Sequence, residues 1–68
     1  MDYYFVNRQA QANGDHEVHK QTCAYLPSSA NQLALGFHAN CHSAVQAAKA
    51  YYWRSNGCYW CSQQCHTT

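Results

Sequence analysis

The chain has little charge. Arg8, Lys20, Lys49 and Arg54 against Asp2, Asp15 and Glu17 leave a net charge of +1 over 68 residues, and the cations are scattered. A nucleic-acid module normally presents a clustered basic face, so this composition leaves a nucleic-acid partner possible but not favoured. Long apolar runs are also missing. No stretch approaches the roughly 18 residues of a membrane-spanning helix, so no membrane partner is expected. The opening MDYYFVNRQAQ lacks the positive n-region and apolar h-region of a secretory signal. The expected location is therefore cytoplasmic, where thiols stay reduced and clustered cysteines more often bind metal than pair. There is neither an internal repeat nor a low-complexity linker.

Bulky apolar residues are few: Phe5, Val6, Val18, Leu26, Leu33, Leu35, Phe37, Val45 and two tryptophans. Residues 1–68 read as one domain, and a domain this small buries only about 60% of the surface its unfolded chain exposes. Such a core usually needs a staple: disulfides, a metal or a partner subunit. Five cysteines and five histidines are the obvious source.

Asn13-Gly14, between a Tyr/Phe/Val-rich stretch and EVHKQTC, is a strong hairpin signal. A two-residue turn there sets Ala12 opposite Asp15, Arg8 opposite His19, Val6 opposite Gln21 and Tyr4 opposite Cys23. Pro27 and the small polar residues after it mark an irregular connection. LALGF (33–37) alternates and predicts a third strand, with Leu33, Leu35 and Phe37 on one face and Gly36 on the other. NCHSAVQAAKAYYW (40–53) predicts a helix with Asn40 as N-cap. Ala44, Val45, Ala48, Tyr51 and Tyr52 form its buried stripe. Asn56-Gly57 is expected to stop the helix through a positive φ. The fold class is α+β: a small antiparallel sheet of about three strands, opened by an N-terminal hairpin, with one helix and a C-terminal zinc knuckle.

Cys58 and Cys61 form a C-x-x-C after that Asn-Gly, half of a zinc site. The spacing turns both thiolates to one ion while backbone N–H groups point at the sulfurs. A redox reading expects a thioredoxin-like setting with the cysteine at a helix N-terminus, whereas this motif follows a helix. Upstream, His19 and Cys23 are four apart and share a face of either a strand or a helix, while His16 points the other way on a strand. The expected metal ligands are His19, Cys23, Cys58 and Cys61, with Cys65, His66 and His16 in reserve. The competing reading leaves His19 solvated and Cys23 a small buried hydrophobe.

VHKQTC followed by ALGFHANCHSAVQAAKAYYWRSNGCYWC resembles the metal-binding domain of the Ada DNA-repair protein and its small relatives. Asn31, Phe37, Ala44, Tyr52, Cys58 and Cys61 fall at corresponding places over residues 18–61. His19 stands where that pattern has a cysteine, and Gly57 where it has a proline. The gap between ligand pairs is longer, and the basic DNA-contacting residues have no clear equivalents. The resemblance implies a zinc-binding fold and, more weakly, nucleic-acid binding.

Cys65-His66 can extend the knuckle, since C-x2-C-x3-C-H supplies three thiolates in eight residues. It can also hold a second metal with His16, or set a thiol beside an imidazole base. Cys41, at the helix start, is expected to be buried there, with pairing to Cys65 as its alternative under oxidising conditions. His38 and His42 are expected at the surface. The aromatic runs cannot all face inward, so some, Trp60 among them, should offer a contact surface. The resulting expectation is a non-catalytic zinc module contacting a protein partner. Its alternatives are an Ada-like nucleic-acid-binding domain and a disulfide-stapled mini-protein. A thiol that accepts an alkyl group lacks an acid–base constellation to support it.

Overall fold

The computed structural model describes residues 1–67, so Thr68 of the expected domain lies outside the described residues. Four strands and one helix run in the order β1 (Asp2–Asn7), β2 (His16–Lys20), β3 (Gln32–His38), α1 (Cys41–Ala48) and β4 (Ser55–Gly57). The sheet is mixed, in the spatial order β3-β1-β2-β4. β1 is antiparallel to both β2 and β3, and β4 runs parallel to β2. α1 packs across the sheet with Ala44 and Ala48 fully buried against Tyr4, Val6 and Val18. The α+β expectation holds, but a fourth strand beyond the expected three pairs parallel to β2, so the sheet is mixed and not antiparallel as expected. No helix among the described residues is long and apolar enough to cross a membrane.

The hairpin forms in a different register. Tyr4 pairs with Lys20, Phe5 with His19 and Val6 with Val18. The pairing is offset by three residues from the expected one, and the turn accounts for one of them: Gln11 N–H donates to Asp15 O and Gly14 N–H to Gln11 O, both at 2.8 Å. Gly14 in this turn has a positive φ, +92°, the three-residue loop with glycine in the left-handed position. Arg54 braces this loop, with its Nη2 donating to Asn13 O at 2.7 Å and its Nε 3.3 Å from Asp15 Oδ1.

On β3 the alternation breaks at a bulge. Tyr4 pairs with Gly36, but Phe5 pairs with Ala34, so Leu35 has no opposite residue. Gly36 takes φ +87° at this point, and the extra residue reverses the facing of the strand beyond it. Leu33 and Leu35 pack on the core while Phe37 is 66% exposed, against the expectation that all three share a face. Phe37 instead meets Tyr3 edge-on at 4.9 Å on the sheet's outer side.

The helix begins where expected. Asn40 Oδ1 accepts from Ser43 N–H at 3.1 Å. It ends at Ala48, five residues before the expected limit of 53. The N–H groups of Tyr51 and Tyr52 both turn back to Ala48 O at 2.9 Å, which closes the last turn. Tyr52 then stacks flat on His16 at 3.9 Å while Tyr51 is left 63% exposed, outside the stripe assigned to it. Asn56-Gly57 is not a helix stop but two-thirds of β4, and Gly57 has no positive φ. Backbone pairing with β2 satisfies these groups better than a C-cap would, because the sheet edge offers unpaired partners.

Gly36→Ala isolates the backbone cost of the bulge, because a Cβ there would meet no atom within 4 Å. The expected loss is about 1–2 kcal/mol from left-handed strain alone, read as a lower urea midpoint at unchanged slope. An unchanged midpoint would mean that the bulge is not needed for the fold.

Candidate metal centre

His19, Cys23, Cys58 and Cys61 come from three separate pieces of chain, and their donor atoms all lie within 4.8 Å of one another. His19 sits on β2, one residue before the strand ends at Lys20. The chain turns at once, with Cys23 N–H donating to Lys20 O at 3.0 Å, and this brings the Cys23 sulfur back under the strand end. The pair thus meets through a turn and not by sharing a strand face, the route the spacing suggested. Cys58 arrives by the parallel ladder. Val18 pairs with Gly57, and Cys58 N–H donates to Val18 O at 2.9 Å, so Cys58 stands level with His19. A tight turn with Ser62 N–H donating to Cys58 O at 2.9 Å then returns Cys61 to the group.

The separations fit a tetrahedral ion. Cys23 Sγ lies 3.9 Å from Cys58 Sγ, and Cys61 Sγ lies 3.9 Å from His19 Nδ1. With Zn–S of about 2.3 Å and Zn–N of about 2.0 Å, tetrahedral edges are about 3.5–3.8 Å. Lys20 N–H donates to Cys61 Sγ at 3.4 Å, and the N–H groups of Trp60 and Cys61 favour the Cys58 thiolate, as a C-x-x-C turn requires. His19 is 1% exposed, and its Nε2 is buried without a hydrogen-bond partner among the described residues. That nitrogen points toward Glu17 Oε1, 3.7 Å away. A metal on Nδ1 would place the ring proton on Nε2, facing this carboxylate.

Without an ion, burial favours the neutral forms of the group. Burial pushes the Cys58 thiol up, opposed in part by those N–H groups. Burial and the Cys23 side chain push Cys61 up to about 12. Burial also lowers the pKa of His19, which keeps the imidazole neutral and its lone pair available. Three thiols and one neutral imidazole are donors that a divalent cation would draw into their ligating forms.

The other candidates lie elsewhere. Cys65 is joined to Cys41 in a disulfide with an S–S distance of 1.95 Å. Nδ1 of His66 is 3.0 Å from Gly57 O, and Nδ1 of His16 is 2.8 Å from Asn7 O. The three free cysteines are therefore the three in the four-donor group. Sequence reasoning weighed the Cys41–Cys65 pair only as an alternative, because nothing local relates residues 24 apart. Asn56, read from the sequence only as part of a helix stop, is buried and ties Thr67 to β4: its Oδ1 accepts from Gly57 N–H at 2.9 Å and Thr67 N–H at 3.1 Å.

Gly57 has no room for a side chain. A Cβ there would stand 2.6 Å from Ser62 O and 2.7 Å from Cys65 Cβ. Gly57→Ala should cost about 1–3 kcal/mol by forcing the knuckle away from β4, seen as a lower urea midpoint; tolerance would mean that the knuckle shifts freely.

The metal-free chain should also be most stable between the ordinary histidine and thiol ranges. Thiols held above their unfolded value of 9.0 stabilise the fold below that pH, and this is lost as pH rises toward 12. His19 acts on the acid side: its lowered pKa means that stability falls once pH drops below the unfolded value of 6.5. Urea midpoints measured in a chelator should peak between these limits, and a midpoint still rising above about pH 9 would contradict the thiol assignment. No family model, curated protein or solved structure matches the chain.

Proposed function

We propose that His19, Cys23, Cys58 and Cys61 hold one zinc ion as a structural Cys3His centre. The chain is then a non-catalytic zinc module whose knuckle offers an aromatic surface to a protein partner. The observation that carries the reading is the convergence of four donor atoms, from β2, the turn after it and the knuckle, to within 4.8 Å. Three thiolates and an imidazole in a tetrahedral set suit zinc rather than a hard cation. Four protein donors leave no open coordination position, which is the structural and not the catalytic form of such a site. The resemblance to the Ada metal-binding domain points the same way.

The partner surface rests on Tyr25, Tyr59 and Trp60. Trp60 is 65% exposed, stacks on Tyr25 at 5.4 Å and meets Tyr59 edge-on at 4.9 Å. Aromatic groups held rigid at a surface are the usual anchors of protein contacts. The cations do not favour nucleic acid. Lys20 lies 3.8 Å from Asp2, Arg54 is committed to Asp15, and Lys49 sits over Trp53 at 5.8 Å.

Native mass spectrometry should find one zinc per chain, lost on acid unfolding, with three free thiols and one disulfide. Cys23→Ser and Cys61→Ser should lose the ion, whereas His16→Ala and His66→Ala keep it. Chelation should lower stability by about 4 kcal/mol where free zinc stands a thousandfold above Kd. A chain that takes up no zinc, or keeps it in Cys61→Ser, sinks the proposal. Oligonucleotide binding that falls steeply with salt would select the nucleic-acid alternative.

A further inference from the structure

A second set of soft donors lies at the other end of the knuckle. Cys41 opens α1, and Cys65 closes the 3-10 turn Gln63–Cys65. The sulfurs of both and a ring nitrogen of His42 lie within 4.8 Å of one another. Cys41 and Cys65 are 6% and 7% exposed, while His42 is exposed. Bonds that do not involve sulfur hold the backbone here. Asn40 caps the helix, Cys65 N–H donates to Ser62 O at 2.9 Å, and His66 N–H donates to Gln63 O at 3.2 Å. Breaking the disulfide therefore leaves two thiols and an imidazole close together.

We propose that reduction of Cys41–Cys65 converts this disulfide into a second metal site. It takes one thiophilic d10 cation, such as zinc or cadmium, on both sulfurs and His42. A dithiol reductant supplies two electrons and two protons: the S–S bond breaks, each sulfur gains a hydrogen, and the reductant leaves as its own disulfide. The cation then displaces those two protons to solvent and binds two thiolates, with the helix N-terminus favouring the negative charge on Cys41. While the ion is bound, both sulfurs are engaged, so the disulfide reforms only after the ion leaves. In a reducing compartment the metal form predominates, and in an oxidising one the disulfide does.

The test compares oxidised chain with chain reduced by a phosphine, in which water gives its oxygen to phosphorus and its hydrogens to the two sulfurs. Zinc is the probe, counted by native mass spectrometry, and cadmium titration reports thiolate ligation by its charge-transfer absorbance. Reduced wild type should hold one ion more than the reduced Cys41→Ser/Cys65→Ser double variant. His42→Ala should weaken that extra ion by at least about tenfold while leaving the other unchanged. Equal stoichiometry in reduced wild type and double variant overturns the proposal, and so does an extra ion indifferent to His42→Ala. Because the criterion is this difference, it is independent of the four-donor centre, whose failure would appear as an oxidised chain that binds no ion. An ion retained by the double variant also reports that the variant still folds.

Discussion

Three residues of parallel pairing carry the architecture. β4 lies beside β2 in the same direction, so the ends of both strands leave the sheet on the same side. Parallel neighbours need a crossover of a dozen residues or more, and residues 21–54 supply it, with β3 and α1 inside. This direction brings Cys58 level with His19 and sets the knuckle beside the Lys20–Cys23 turn. An antiparallel β4 would deliver the knuckle to the opposite end of the sheet, and the four donors could not meet. The close approach of Gly57 to Ser62 and Cys65 belongs to the same constraint, because the knuckle must fold directly back on the strand that delivers it.

The pairing is needed because the apolar core is so small. Its fully buried side chains are Tyr4, Val6 and Val18 on the sheet and two alanines on the helix. The Cys41–Cys65 disulfide, with a sequence separation of 24, adds about 3 kcal/mol by restricting the unfolded chain. It ties the far end of the knuckle to the helix start, while β4 ties the near end to the sheet. The four-donor group lies between these two anchors. The Cys58 and Cys61 thiols are held above their ordinary pKa by burial, so the fold has placed groups that resist ionisation where an ion would ease the cost. The same burial disfavours bare thiolates, a cost that a bound cation would offset.

The local features were legible in the sequence. The Asn40 cap, the Asn13-Gly14 turn and the C-x-x-C knuckle each depend on residues within a few positions of one another. His19 and Cys23 were chosen over His16 for a shared strand or helix face, but a turn after Lys20 is what brings them together. The helix end was not legible: Ala50, Tyr51, Tyr52 and Trp53 continue a plausible helical pattern, and only the stacking of Tyr52 on His16 shows why the chain departs. Nor was the side of the sheet on which Phe37 lies, because one bulged residue reverses it.

By itself, then, the sequence determined that a small α+β chain with few bulky apolar residues would depend on its cysteines and histidines, and that one cluster of donors would form at the C-x-x-C. Only the tertiary structure decided which cysteine went where. Cys65 is four residues from Cys61 along the chain, yet it is bonded to Cys41 on the helix. The physical reason is that donor type and short spacing are local properties. Partner choice over tens of residues depends on strand direction, register and the path of the crossover, none of which is written in any single stretch of the chain.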